Sequence, residues 1–127
     1  MKKVIFSEKA PEPIGPYSQA IMVGNTLYVS GQIAIDKANY NQLVNSSIEA
    51  ETEQVMKNLS YILEKAGMTF ENVVKCSIFI KNMNDFAKIN SVYGKYFPSN
   101  PPARETVEVA RLPKDVNVEI SCIAVKS

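Results

Sequence analysis

The chain has 127 residues, of which 46% are hydrophobic and 21% are charged, a composition typical of one globular domain and unlike that of a disordered chain. Fourteen basic and thirteen acidic residues leave a net charge of +1, so we expect neither nucleic acid nor an anionic membrane as the main partner. The sequence has no histidine, which excludes Ser-His-Asp and Cys-His catalysis and histidine-ligated zinc.

Localisation signals are weak. No apolar run approaches the roughly 20 residues of a transmembrane helix, and MKKVIFSEKAPEP has too short an apolar stretch for a secretory signal. The two cysteines, Cys76 and Cys122, form no spaced framework. These features predict a reduced, cytoplasmic protein.

The first half of the chain predicts three strands. KVIF is a short apolar run suited to a strand, and APEPIGPY, rich in proline and glycine, predicts an ordered but irregular loop. SQAIMV and TLYVSGQIAI flank Gly24 and Asn25, an arrangement that predicts a hairpin. Gly31 within the second of these strands is typical of a β-bulge.

An amphipathic helix follows. Ser46 and Glu49 have the spacing of a capping box, which satisfies free N–H groups at the start of a helix. Apolar residues then recur at helical spacing from Ile48 to Ala66, and Gly67 supplies a C-terminal stop.

The second half predicts a strand, a second helix and two more strands. NVVKCSIFI is rich in strand-forming residues, and Asn84 or Asp85 can cap a helix whose apolar stripe lies within residues 86–97. NPPARETVEVARLPKDVNVEIS supplies the last two strands. The order predicts an α+β fold in which a mixed sheet of five or six strands carries two helices on one face.

Strand alternation predicts what the other face of the sheet carries. If the apolar positions of every strand, Val107 and Val109 included, pack against the helices, then Arg104 and Glu119 share the helix-free face. The same face is then expected to carry Ser30, Gln32, Ser77, Phe79, Thr106, Ser121 and Ile123. A mixed face of this kind suits contact between subunits.

Arg104 and Glu119 are the main candidates for chemistry. A guanidinium can bind a carboxylate through two parallel hydrogen bonds, and a glutamate can orient or deprotonate water without histidine. Taken alone, the pattern favours plainer interpretations: an ordinary ion pair for Arg104 and an exposed, outward-facing side chain for Glu119.

Other positions allow two interpretations each. Tyr17 can present its ring or hydroxyl to a ligand, or simply anchor its loop. Ser30 and Gly31 can offer a hydroxyl and an approachable amide, or form only a bulge. Cys76 and Cys122 are predicted on the helix side as small buried residues.

Four stretches, IGPYSQA, VSGQI, NPPAR and VEVARLPKDVNVEI, occur in the order and spacing found in the RidA/YjgF family of small enamine and imine deaminases, which the chain resembles over its full length. The resemblance implies a single domain over residues 1–127 with a chorismate-mutase-like fold, assembled as a homotrimer with sites between subunits. It also implies hydrolysis of 2-imino acids, such as 2-iminobutanoate and 2-iminopropanoate, to 2-keto acids and ammonia without a cofactor.

The resemblance also implies roles for individual residues. Arg104 matches the residue that binds the substrate carboxylate, and Glu119 matches the one that positions the attacking water. The positions matching the rest of the pocket are Tyr17, contributed across the interface, Ser30, Gly31, Asn90 and Thr106. Glu105 departs from the family, which commonly has a small or apolar residue there, and alternation predicts that it points away from Arg104.

Two other functions stay open at this stage. A non-catalytic regulator that binds keto acids in the same cleft would have the same fold, although retention of Arg104 favours the enzyme. RNA cleavage is the least favoured function, because the charge is balanced and histidine is absent.

Overall fold

The computed structural model describes residues 1–127. The strands and helices in chain order are β1 (Lys2–Ile5), β2 (Ala20–Val23), β3 (Thr26–Gln32), β4 (Ile35–Asp36), β5 (Gln42–Leu43), α1 (Ile48–Lys65), β6 (Val73–Ile80), α2 (Phe86–Tyr93), β7 (Ala103–Glu108) and β8 (Val118–Val125). Six strands form one sheet in the order β1-β2-β3-β8-β6-β7, and β4 and β5 form a separate two-stranded ladder. Only the β6–β7 pair is parallel. The predicted α+β class with a mixed sheet is confirmed, whereas the β4–β5 ladder was not among the predicted elements.

α1 is capped by Ser47. The Ser47 hydroxyl accepts the backbone N–H of Ala50 at 3.0 Å, so the capping residue lies one position after Ser46 and the predicted capping box of Ser46 with Glu49 is wrong. Ser47 has an extended backbone, with φ of −158°, which brings its hydroxyl beside that free N–H. The predicted stop is confirmed, since Gly67 adopts a left-handed φ of 74°.

α2 begins after a short 3₁₀ turn. The side chain of Asn82 accepts the backbone N–H of Asn84 at 2.9 Å and caps this turn. Neither Asn84 nor Asp85 caps α2 through its side chain, because the 3₁₀ turn moves the capping position upstream. Ile89 and Tyr93 of α2 are buried against the sheet, as predicted.

The core lies between the two helices and one face of the sheet, and two bulges change which residues face it. A register shift beside Val73 leaves Val74, predicted on the helix side, exposed. A second shift, between Val29 and Gln32 of β3, is the bulge expected at Gly31. Because of this bulge, Gln32 is buried on the helix side. The prediction that Gln32 lies on the helix-free face is therefore wrong.

The edge strand β7 has the opposite orientation to the one predicted. Arg104 pairs with buried Cys76 of β6, and Val107 pairs with Phe79. Arg104 therefore lies on the helix side, whereas Val107, 41% exposed, lies on the helix-free face. Hydrophobicity does not fix the orientation of this strand, because an edge strand is partly open to solvent on both faces.

Candidate functional site

Arg104 and Glu119 lie on opposite faces of the sheet within one chain. Glu119 pairs with Phe79 of β6, which places it on the helix-free face, so the predicted shared face is wrong. The candidate residues instead form two groups. We call Arg104, Phe86, Asn90, Tyr93 and Thr106 the arginine cluster, and Glu119, Tyr17, Ser30 and Gly31 the glutamate cluster.

α2 orients the guanidinium of Arg104. Asn90 Oδ1 accepts a hydrogen bond from Arg104 Nη1 at 2.8 Å. Arg104 Cζ lies 5.1 Å from the ring centroid of Tyr93 and 5.6 Å from that of Phe86, within the range of cation–π attraction. The three α2 residues are spaced four and three apart and therefore share one face of the helix. Sequence reasoning assigned both aromatic residues only to the core, although their spacing from Asn90 indicates this shared face.

No carboxylate in the chain neutralises Arg104. The three ion pairs are Lys37–Glu12, Lys75–Glu105 and Arg111–Asp115. Glu105 points away from Arg104, as alternation predicted, and lies on the helix-free face, where it binds Lys75 Nζ at 2.8 Å and accepts the hydroxyl of Ser77. The ion-pair interpretation of Arg104 is therefore wrong. A half-buried guanidinium without an internal counter-ion is suited to binding an external anion.

Two buried hydroxyls of the arginine cluster have no oxygen or nitrogen hydrogen-bond partner, although one of them, that of Tyr93, lies beside the Cys76 thiol. They belong to Thr106, two positions from Arg104 on the same side of β7, and to Tyr93. Burial raises the pKa of the Tyr93 hydroxyl well above its ordinary value, so this group stays protonated. Buried polar groups without partners are uncommon in folded proteins, and here both lie in the cluster that holds the uncompensated guanidinium.

Glu119 is half-buried and also lacks a partner, because no hydrogen bond or ion pair reaches its carboxylate. Burial raises the pKa of this carboxyl above its ordinary value. The side chain lies directly over Gly31, where a Cβ would come within 2.5 Å of Glu119 Oε2. The absent side chain of Gly31 thus leaves the space that the carboxylate occupies.

The Glu119 side chain lines a cleft together with Tyr17 and Gly31. The Tyr17 hydroxyl accepts the backbone N–H of Ile14 at 3.2 Å while 47% of the residue stays exposed, so this side chain both anchors its loop and presents surface. Ser30, next to Gly31 in the bulge, donates its hydroxyl proton to the Ser18 carbonyl at 2.6 Å and does not line the cleft.

The Gly31→Ala substitution should displace the Glu119 carboxylate, since the far end of a side chain moves more readily than backbone. We expect the free energy of unfolding to change by no more than about 1–2 kcal/mol. The pKa of Glu119, followed by carboxyl ¹³C NMR, should move toward the ordinary glutamate value as the group shifts into solvent. An unchanged Glu119 titration would contradict this account.

Other chemistry has less support in the chain. No group of three or more acidic or cysteine side chains is close enough to hold a metal ion, and neither helix has the length and apolarity needed to cross a bilayer. Cys76 and Cys122 are buried, as predicted, and burial raises the pKa of both thiols, which disfavours the nucleophilic thiolate. The two clusters thus provide one group for binding an anion and one for accepting a proton.

Comparison with known proteins identifies the family of the chain. The model of the family described as Endoribonuclease L-PSP matches residues 7–126. A RutC family protein of Pyrococcus horikoshii is 53% identical over 99% of both chains, and the human 2-iminobutanoate/2-iminopropanoate deaminase is 44% identical over 99% of this chain and 91% of its own. The crystal structure of the Escherichia coli YjgF gene product superposes with a TM-score of 0.92 at 41% identity, covering 98% of this chain and 99% of that one. The chain therefore belongs to the RidA/YjgF family.

Proposed function

We propose that this protein hydrolyses 2-imino acids, 2-iminobutanoate and 2-iminopropanoate among them, to 2-keto acids and ammonia. The observation that carries the proposal is the pair of half-buried, uncompensated groups, the Arg104 guanidinium and the Glu119 carboxylate. Arg104 suits the substrate carboxylate, and Glu119 suits the water that attacks the C=N carbon. The name of the human relative supports this substrate class.

The active unit in this proposal is a homotrimer with sites between subunits. Arg104 and Glu119 lie on opposite faces of one chain, so a small substrate that contacts both must lie between two copies. The helix-free face is suited to subunit contact because it carries exposed apolar side chains, among them Val4, Tyr28 and Val107. A cyclic arrangement of three copies would repeat the same contact and close it.

The proposed reaction needs positioning more than a strong nucleophile, because an imine next to a carboxylate is already electrophilic. Arg104 of one subunit holds the substrate carboxylate. Glu119 of the neighbouring subunit accepts a proton from water as the water oxygen adds to the imine carbon, and return of that proton to nitrogen gives the neutral carbinolamine. Transfer of the carbinolamine hydroxyl proton to nitrogen, again through Glu119, then releases ammonia as the C–N bond breaks and the C=O bond of the keto acid forms. The overall balance is imine plus water giving ketone plus ammonia.

The direct test follows the decay of 2-iminobutanoate generated in the assay by an amino-acid oxidase. The wild-type protein should accelerate decay over the buffer rate. Decay at the buffer rate, together with tight binding of 2-ketobutanoate, would instead identify a non-catalytic keto-acid binding protein. Because the matching family is described as an endoribonuclease, RNA cleavage by the same highly purified sample should be measured alongside, and we expect none.

Replacing Arg104 with alanine should lower kcat/KM about 10- to 150-fold, the loss expected when a hydrogen-bonded charge is removed from a carboxylate. Arg104→Lys should fall between wild type and alanine, because lysine keeps the charge but not the planar pair of donors. Arg111→Ala is the matched control, since Arg111 is exposed and pairs only with Asp115. Equal losses in the two alanine variants would contradict the proposed role of Arg104.

A plot of kcat/KM against pH should show an acidic limb, a fall in rate toward low pH, whose midpoint lies above the ordinary glutamate pKa of about 4.3. Burial raises the pKa of Glu119, so its carboxyl is protonated, and inactive as a base, up to a higher pH than a solvated glutamate. Rates measured from about pH 4 to 9, corrected for spontaneous hydrolysis, should therefore fall as the pH drops through this raised value. The limb should be absent from the residual activity of Glu119→Gln, and its persistence there would assign it to another group.

A further inference from the structure

A stripe of buried polar side chains on α1 contacts the backbone that leads into Glu119 and one wall of the cleft that contains Glu119. The stripe consists of Glu51, Gln54 and Asn58, which are spaced three and four apart and share one face of the helix. All three are buried, and Glu51 is only 1% exposed. Charged side chains are rarely buried this far unless their partners are supplied by the fold.

Glu51 holds the start of the strand that carries Glu119. One carboxylate oxygen accepts the backbone N–H groups of Asn117 at 2.7 Å and Val118 at 3.3 Å, and the other accepts the Asn117 side-chain amide at 2.9 Å. No cation pairs with Glu51. Val118 directly precedes Glu119, so these bonds fix the strand position from which the Glu119 side chain leaves.

Asn58 holds the cleft wall that Ile33 and Ile35 form. Its Nδ2 donates to the carbonyl oxygens of Ile33 at 3.0 Å and Ile35 at 2.9 Å, and both residues line the cleft with Glu119. Gln54 Nε2 donates to Asn58 Oδ1 at 3.0 Å and fixes the orientation of the Asn58 amide. One helix thus supplies hydrogen bonds both to the backbone that leads into Glu119 and to this wall of the cleft.

These side chains bind backbone groups of loops and strands outside α1, so apolar replacements would leave the N–H groups of Asn117 and Val118 and the carbonyls of Ile33 and Ile35 without these partners. We propose that Glu51 and Asn58 are positioning residues that hold the start of β8 and the cleft wall at Ile33 and Ile35, and with them the Glu119 carboxylate over Gly31, in the geometry used for catalysis. The catalytic part of this inference rests on the proposed function. The structural part of the inference, that these residues fix the placement of the Glu119 carboxylate, is independent of the proposed function.

The test compares variants of Glu51 and Asn58 with Thr52→Val as a matched control. Thr52 is fully buried on the same helix, but its hydroxyl donates only to the Ile48 carbonyl of that helix. Glu51→Leu removes both acceptors, and Asn58→Leu removes the two donated bonds. Glu51→Gln keeps one oxygen that can accept the two backbone N–H groups, so it should partly restore function.

We expect Glu51→Leu and Asn58→Leu to lower kcat about 10- to 100-fold, the cost of a small misplacement of a catalytic group, with KM changing less than about threefold. In the same samples the carboxyl ¹³C titration of Glu119 should shift relative to wild type. Thr52→Val should leave kcat and the titration unchanged. Glu51→Gln should give a smaller shift and a smaller loss than Glu51→Leu.

Two results would overturn the inference: a Glu119 titration in the folded Glu51 and Asn58 variants identical to that of Thr52→Val, or kcat losses no larger than in that control. If a leucine variant fails to fold, Glu51→Gln decides alone, because its Glu119 titration must still differ from the control. If the wild-type protein does not hydrolyse imines, the proposed function fails, while the titrations still show whether α1 positions the Glu119 carboxylate.

Discussion

Glu119→Gln should lower kcat for 2-iminobutanoate about 10²- to 10⁴-fold, the usual contribution of a positioned general base. Glutamine has nearly the same shape but cannot accept the proton that water releases as it adds to the imine carbon. Binding of 2-ketobutanoate, measured by calorimetry, should stay within about threefold of wild type, because Arg104 is unchanged and binds the carboxylate. Loss of kcat without loss of keto-acid binding separates the role of Glu119 from that of Arg104.

Unfolding should not explain that loss. The folded Glu119 carboxyl has a raised pKa, so between the unfolded and folded pKa values the native protein binds more protons than the unfolded chain. The free energy of unfolding contributed by this group therefore falls as the pH rises through that window. Glutamine removes this penalty, so Glu119→Gln should be at least as stable as wild type at neutral pH. A variant that is less stable and loses kcat and keto-acid binding together would argue for a structural role.

The central strands and the first helix were predictable from the sequence because burial is one-sided there. In β8, Val118, Ile120 and Cys122 alternate with Glu119, and all three pack in the core as expected. The apolar spacing of α1 likewise identified the helix within a few residues. Where a strand or helix has one buried face, a shift by one residue would expose the whole apolar set, so the pattern determines the orientation.

The arginine cluster could not be derived in the same way. β7 is an edge strand, so its apolar positions need not face the core, and the alternation that placed Val107 against the helices gave the wrong side for Arg104. The deciding contacts come from α2, where Asn90 accepts a guanidinium hydrogen bond and two aromatic rings lie beside it. These are tertiary contacts between residues more than ten positions apart. The positions of Gln32 and Glu119 depend in the same way on the bulge at Gly31, which strand alternation does not predict. The bulge turns Gln32 into the core, and the Glu119 side chain lies over Gly31.

Mixing Arg104→Ala chains with Glu119→Gln chains should restore activity that neither variant has alone. In the proposed trimer each site takes Arg104 from one chain and Glu119 from its neighbour, because the two residues lie on opposite faces of a single chain. In a random equal mixture half the chains keep Arg104 and the other half keep Glu119, so about a quarter of the sites receive both. The mixture, prepared by refolding together, should therefore reach up to about a quarter of wild-type kcat per site.

The control mixes Arg104→Ala chains with chains that carry both substitutions, in which no site has an intact Arg104, and this mixture should stay at the level of the single variants. Size-exclusion chromatography with light scattering should show the same assembly in both mixtures, so that any difference in rate reflects site composition. If one chain supplied both residues to its own site, every site in the first mixture would lack one of them. Activity no higher than that of the control mixture would then show that the sites are not shared between subunits.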